Sequence, residues 1–469
     1  MKKSNVLLIV LDTLRRDTLY NNLDKLPNLK KLASESTVYR NAVSPSPWTI
    51  PTHASIFTGL YPSEHGMTMR FNDSEMVRAI SSFPQQNKTF QEKLRAEGYK
   101  TILVSANILV GKDTAFQQGF DQVVNVGPVV KQMEYSRQQH ALSNGEPLNK
   151  YQSIGKLFEL RKLIGTSNLL KIISLGVRRR LYNRRIGFPH YKGHKDVLQE
   201  FINSNPKSPF LAVLNCIEMH EPYNFRRSKM KFFDSRDPFE IARRSYFRAS
   251  FTGNLEGAEK HSSTLESARE ALLNEVQLVD EFIGSLVQYL KSSGSYDDSI
   301  IVVTSDHGQS MGENLYIGHE YKLNDAVVNV PLLIKIPGKS PSTVDDYVNT
   351  VDIYDFILGV AKDGSSGMAL HDYVFSEAFG YNEPKWNLFL GDMAKEYPPE
   401  IRKRVWSQNG YSLTVNGSRG TIEEFSHHCN PVEISENLEI AQTLLDELMI
   451  FAGNSEFLFP SDPIKPPKA

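Results

Sequence analysis

Apolar residues in this chain gather into short unbroken runs, each stopped abruptly by a polar or charged side chain. Asn5-Val-Leu-Leu-Ile-Val-Leu11 stops at Asp12, and Ser299-Ile-Ile-Val-Val-Thr304 runs through Ser305 into Asp306-His307-Gly308. Thr101-Ile-Leu-Val-Ser-Ala106 predicts a second parallel strand, Phe210 to Ile217 a third, and Pro331 to Pro337 another. Runs of this length without alternation fit strands buried on both faces. Between them Leu272, Val276, Val279, Ile283, Leu286 and Leu290 recur at helical spacing, which predicts an amphipathic helix packed on the sheet. After about residue 400 the pattern shifts to that of a small subdomain. Tyr411-Ser-Leu-Thr-Val415, the turn Asn416-Gly417 and Thr421-Ile422 predict a β-hairpin, and Leu438, Leu445 and Leu448 line a closing helix.

The ends of these strands carry the candidate chemistry. A carboxylate directly after a buried parallel strand lies at the sheet edge where open α/β sheets bind ligands, so two strands bring Asp12, Asp306 and His307 together. A third segment, Ser46-Pro-Trp-Thr-Ile-Pro-Thr-His-Ala-Ser-Ile-Phe-Thr-Gly59, predicts a short helix with Pro51 in its first turn and Gly59 at its end. Thr49 then falls at or just before the helix N-terminus, where backbone donors and the helix dipole favour an anion. Alone, such a threonine reads as a helix cap and an Asp-His pair as a capped turn.

Taken in order, the motifs resemble the sulfatase family of the alkaline phosphatase superfamily. They are L-D-T-L-R-R-D at Leu11 to Asp17, P-T-H-A-S-I-F-T-G-L-Y-P-S-E-H-G at Pro51 to Gly66, M-H-E-P-Y at Met219 to Tyr223, T-S-D-H-G at Thr304 to Gly308 and V-P-L-L-I at Val330 to Ile334. Asn430-Pro431-Val432-Glu433 with Asn437-Leu438 is similar to a late family signature. The resemblance implies an alkaline-phosphatase-like α/β fold: a mixed, largely parallel sheet sandwiched by helices, with a small C-terminal α+β subdomain. The expected division is a catalytic domain over 1–395, with an insert at about 125–195, and a subdomain over 396–469.

Departures from the family pattern alter the implied chemistry. Sulfatases read C-x-P-S-R or S-x-P-S-R at the nucleophile, whereas this chain reads Thr49-Ile50-Pro51-Thr52-His53, and Thr13 replaces the second Asp of the opening pair. A threonine is not a substrate for conversion to formylglycine, so none is expected. The resemblance then implies an unmodified Thr49 nucleophile bound to one divalent ion, Ca, Mn, Zn or Mg, with Asp12, Thr49, Asp306 and His307 as ligands. A protonated hydroxyl needs such activation before it attacks. By the same resemblance His220 is a candidate general acid, His319 stands where the family places an anion-binding Lys, and His53 and Lys322 are candidate substrate contacts.

Composition is that of an ordinary globular protein: 469 residues, 40% hydrophobic, 23% charged, net charge −1. That balance gives no global attraction to nucleic acid. Two cysteines and an opening apolar run broken at Asp12 point to a cytoplasmic protein, and no run approaches the ~20 residues of a membrane span. From Arg161 to Lys195 there are ten Lys or Arg and no Asp or Glu. This stretch is a solvated face, a lid over an anionic polymer, or a peripheral contact with an anionic membrane. The expected activity is metal-dependent hydrolysis of a sulfate, phosphate or phosphonate ester, its partner an anionic ester substrate such as a glycan or lipid head group. Phosphoryl-group transfer and non-catalytic anion or glycan binding on the same fold are the alternatives.

Overall fold

The computed structural model describes residues 3–68, 89–107, 109–126, 193–221, 238–252, 260–362, 367–380, 400–453 and 457–460. Most of the insert expected at about 125–195, including nearly all of its basic part, lies outside the described residues, as does the 395/396 boundary.

An eight-stranded sheet forms the centre. Its strands are β1 (Asn5–Leu11), β2 (Thr37–Val43), β3 (Lys100–Ser105), β4 (Gln122–Asn125), β5 (Phe210–Cys216), β6 (Ser299–Thr304), β9 (Asn329–Lys335) and β10 (Ser342–Asn349), in spatial order β10-β2-β9-β6-β1-β5-β3-β4. The intervening β7 (Ser310–Met311) and β8 (Ile317–Gly318) pair as a separate ribbon. Parallel pairing joins β1 to both β5 and β6, so Leu11 lies beside Cys216 and Val10 beside Thr304. The chain therefore leaves β1, β5 and β6 at one edge. Only β9 among the central strands runs against its neighbours, antiparallel to β2 and β6.

The unbroken apolar runs arise because side chains of successive residues enter two different cores. Leu7, Ile9 and Leu11 pack on one face with Phe210, Leu214, Ile301 and Val303. Val6, Leu8 and Val10 pack on the other with Leu211, Val213, Ile300 and Val302. Helices cover both faces: α1 (Pro27–Ala33), α2 (Thr49–Thr58), α3 (Phe90–Ala96), α4 (His194–Ser204), α5 (Pro238–Thr252), α6 (Ser262–Ser292) and α7 (Ile353–Lys362). The stripe expected from Leu272 to Leu290 is the buried face of α6. One carboxylate on that helix, Asp280, accepts from the backbone N–H of Asn28 at 3.3 Å and of Leu29 at 2.7 Å, which fixes the start of α1.

A second, antiparallel sheet of five strands follows: β11 (Tyr373–Ala378), β12 (Arg402–Ser407), β13 (Tyr411–Asn416), β14 (Thr421–His427) and β15 (Asn430–Pro431). The expected hairpin is β13–β14, and α8 (Leu438–Ala452) packs Leu444, Leu445 and Leu448 against Val405, Leu413 and Val415. Its first strand, β11, comes before residue 396, so the sheet draws on chain from both sides of the expected boundary.

Candidate active site

Thr49 is the first residue of α2, a ten-residue helix. Pro51 sits in the first turn, where a missing N–H removes nothing from the helix ladder. Gly59 ends it at φ 72°, donating its N–H to Ser55 O at 2.8 Å. No side chain fits there, since a Cβ on Gly59 would stand 2.7 Å from Tyr354 Cδ1.

The helix start delivers Thr49 Oγ1 to the strand ends, 3.5 Å from Asp12 Oδ2 and 3.4 Å from His307 Nε2. His307 Nε2 lies 3.5 Å from Asp306 Oδ2 and 3.9 Å from Asp12 Oδ1. These separations exceed those of strong hydrogen bonds, and they leave room between the groups. Asp12, Asp306 and His307 are wholly buried, yet Asp12 Oδ1 and Asp306 Oδ2 have no hydrogen-bond partner. Buried carboxylate oxygens without partners are costly unless a cation compensates them. The backbone aims the others: Asp306 Oδ1 accepts from the N–H of Thr13 at 3.2 Å and of His307 at 2.8 Å. Thr13 adopts φ 61°, uncommon for a β-branched residue, and it is this conformation that turns its N–H onto Asp306.

His307 Nδ1 lies 2.9 Å from the Gly308 carbonyl and donates to it, which leaves Nε2 with a lone pair facing the carboxylates. Donors of this kind, two carboxylates, an imidazole lone pair and a hydroxyl, suit a divalent ion. Burial first, and then the charge of Asp306, pushes the Asp12 carboxyl up to about 6, against the opposing pull of His220, His307 and Asn107.

The remaining expected residues take different places. His220 follows β5, donating from Nδ1 to the Glu221 carbonyl at 2.7 Å. Burial opposes charge on its ring, but Glu221 and Asp12 outweigh that, and its pKa stands above the usual value. His319 stacks on His307 with ring centroids 4.4 Å apart and stands edge-on to His220 at 5.1 Å, so three imidazoles line one side of the site. Its Nδ1 is held by Gln309 Oε1 at 2.6 Å.

His53 and Lys322 depart from the expected substrate contacts. His53 is wholly buried, with Nδ1 at 2.9 Å from Thr49 O and Nε2 accepting from Asn215 Nδ2 at 2.9 Å. Both ring nitrogens are committed to the protein, and burial holds the ring below its usual pKa, so His53 positions Thr49 rather than facing a ligand. Lys322 has Arg402, Glu423, Glu424 and Glu400 as its charged neighbours, apart from the Asp12 cluster.

Several site residues were not expected from the sequence. Asn107, just beyond β3, donates to Asp12 Oδ2 at 2.7 Å, and Ser305 ties the ends of β1 and β6 by donating to Leu11 O at 2.5 Å. Asn215 and Gln309 orient His53 and His319. Both Asn107 and Asn215 signal themselves weakly, as amides at the C-terminal ends of otherwise apolar runs.

Comparison with known proteins bears on the family and the fold. Residues 4–363 match the family model described as Sulfatase. The chain is 27% identical over 394 residues to an ulvan-active sulfatase of Formosa agariphila, a match covering 79% of this chain but only 65% of that protein. It is 23% identical over 390 residues to a choline-sulfatase of Rhizobium meliloti, covering 78% of this chain and 71% of that one. Among solved structures, the phosphonate monoester hydrolase SpPMH from Silicibacter pomeroyi superposes with a TM-score of 0.62 at 20% identity, over 96% of this chain and 95% of the other.

Proposed function

The chain belongs to the sulfatase family of ester hydrolases, and from that premise we propose that it cleaves a sulfate, phosphate or phosphonate ester with Thr49 as an unmodified nucleophile. The observation that carries the reading is Thr49 Oγ1 at a helix N-terminus, 3.5 Å from Asp12 Oδ2 and 3.4 Å from His307 Nε2, among carboxylate oxygens that no protein group satisfies. Asp12, Asp306, His307 and Thr49 would hold one divalent ion. When bound, that ion lowers the pKa of the hydroxyl and neutralises charge on the ester oxygens.

The chain's own groups do the rest. His53, fixed by Asn215, holds the Thr49 carbonyl and with it the turn that aims Oγ1. The first backbone N–H groups of α2 face the anionic ester. As Oγ1 bonds to sulfur or phosphorus, the bond to the alcohol oxygen breaks. The departing oxygen takes a proton from His220, whose pKa, against the lowering effect of burial, is raised by Glu221 and Asp12. Water then gives a proton back to His220 as it attacks the same sulfur or phosphorus, and the bond to Thr49 Oγ1 breaks to release the side chain. His319 stands beside His220, where it supports the anion.

The curated relatives support an anionic ester as substrate: one acts on ulvan and another on choline sulfate by their names. Cytoplasmic residence is part of the proposal. It is supported by two unbridged cysteines, Cys216 and Cys429, and no described helix is long and apolar enough to cross a membrane.

The test is a panel of aryl sulfate, phosphate monoester, phosphate diester and phosphonate with Ca²⁺, Mg²⁺, Mn²⁺ or Zn²⁺. Thr49→Ala should lose activity on the order of 10³-fold or more, while Thr49→Ser retains part because the hydroxyl survives. Intact mass should show no aldehyde between Ser44 and Ser55. Full activity in Thr49→Ala, or a formylglycine mass, refutes the threonine mechanism. An added alcohol that captures the sulfuryl or phosphoryl group in place of water would make the reaction a transfer.

A further inference from the structure

A second polar cleft, about 80 Å³ in volume, is lined by Tyr321, Lys322, Glu400, Arg402, Arg419 and Glu423. A single water needs about 10–15 Å³ by such a measure, so there is room for a polyatomic group. The cleft joins two parts of the fold, since Tyr321 and Lys322 follow His319 on the catalytic side and the other four residues come from the C-terminal sheet and the approach to it.

Its charges are unevenly paired. Arg402 is 3% exposed and donates from Nε to Glu423 Oε2 at 2.6 Å and from Nη2 to Glu423 Oε1 and the Tyr321 hydroxyl, both at 2.8 Å. It also bonds Glu400, whose other oxygen is taken by Arg419 Nε. The Tyr321 ring lies 4.1 Å below the Arg402 guanidinium and helps to hold it flat. Two carboxylates are thus spent on two guanidiniums. Left over are Arg402 Nη1, buried with no hydrogen-bond partner, and Lys322, which makes no hydrogen bond or ion pair among the described residues. Burial, and then the positive charge of Arg402, pushes the Lys322 ammonium below its usual pKa against the opposing pull of Glu423, Glu424 and Glu400.

We propose that this cleft binds a second acidic group of the substrate, a carboxylate, sulfate or phosphate, through Lys322 Nζ, with the buried Arg402 guanidinium adding positive charge behind it. Three residue steps separate His319 from Lys322, so their Cα atoms lie within about 11 Å. The substrate class is therefore an ester with a further anionic group on the order of 10 Å from the scissile one, as between alternate sugars of an acidic glycan. This rests on the reading of Thr49 as the centre of ester cleavage.

Two experiments separate the claims. In chelated protein the Thr49 centre holds two uncompensated carboxylates, which weaken anion binding there, so inorganic sulfate titrated by calorimetry at low ionic strength reports on the remaining cationic sites, and the part lost in Lys322→Met belongs to the cleft. Wild type should bind one sulfate per chain, Lys322→Met should lose it, Lys322→Arg should keep it, and unchanged thermal melting should confirm that the variants fold. Absence of sulfate binding in the chelated wild type, or binding indifferent to Lys322→Met, overturns the proposal whatever the catalytic result. In metal-loaded protein, the aryl ester that is turned over is compared with the same ester carrying a carboxylate on a linker. Lys322→Met should reduce the preference for the dianionic ester about tenfold through KM, with Lys322→Arg restoring it. An unaltered preference overturns the second-anion role, whereas inactivity of the wild type on every ester counts against the Thr49 reading and leaves the sulfate titration to decide the cleft.

Discussion

In the proposed mechanism Thr49 gains reactivity only from its neighbours, so the protonation of those neighbours governs metal capture. Asp12 must be ionised to hold a cation, and burial together with the charge of Asp306 raises its pKa to about 6 in the metal-free site. A bound proton and a bound ion compete for it. Metal affinity should therefore be nearly independent of this group above pH 6 and fall about tenfold per pH unit below it, as titrations at pH 5, 6 and 7 can measure. Flat affinity across that range would remove Asp12 from the ligand set. Asp12, Asp306 and His307 were legible because each follows an apolar run at the sheet edge. Asn107 and Asn215 stand at similar edges, but an amide carries no charge to draw notice, and its role is fixed by a partner distant in sequence. Lys322 lies three residues from His319, so chain proximity suggested a shared anion. Its environment is instead set by Arg402 and Glu400, which the sequence places some 80 residues on.

Strand positions were legible for a reason visible in packing: β1, β5, β6 and β9 are buried along their whole length, so each is an uninterrupted apolar word. Strand direction was not. The antiparallel course of β9 follows from a connection through β7 and β8 that returns the chain at the same edge, and apolar content is blind to it. β11 escaped notice because Tyr373-Val-Phe-Ser-Glu-Ala378 mixes buried Ser376 and Glu377 with apolar residues. The helix that carries Thr49 depends on a small element behind it. His65 closes the turn after α2, placing Nε2 3.0 Å from Ser55 Oγ and accepting at Nδ1 from the Met67 N–H at 3.0 Å. Burial pushes this imidazole down to about 3, and an Nδ1 that accepts a backbone N–H cannot also carry a proton. In the unfolded chain a histidine titrates near pH 6.5. Stability from neutral His65 is thus fully present above about pH 6.5 and is lost progressively as pH falls toward about 3, because the unfolded chain takes the proton. His65→Gln should flatten the decline in urea midpoint between pH 7 and pH 4. A decline as steep as wild type would place the acid sensitivity elsewhere.

At the scale of the whole molecule, Glu377 attaches the C-terminal sheet to the loop before Thr49. Glu377 of β11 donates its N–H to Pro45 O at 2.9 Å and accepts at its carbonyl from Ser46 Oγ at 3.0 Å, three residues before Thr49. Its carboxylate is wholly buried, accepts from the Ser63 N–H at 2.8 Å and pairs with Lys403, the residue opposite it on β12. Lys403 is 3% exposed and its ammonium lies 5.0 Å from the Phe451 ring on α8. A buried ion pair adds little net stability over apolar residues, but removing one partner strands the other, at a cost of about 3–5 kcal/mol. Lys403→Met should accordingly lower unfolding free energy by about that amount. Because the stranded Glu377 carboxylate sits on the strand that holds Pro45 and Ser46, activity per folded molecule should fall as well, by as much as about 10²-fold for a displacement near 1 Å at Thr49. Glu377→Gln with Lys403→Met removes both charges and should recover much of the stability. Urea unfolding and kcat measured on wild type and these two variants check this. Loss of stability without loss of kcat would mean that the second sheet supports the catalytic domain but does not set the aim of its nucleophile.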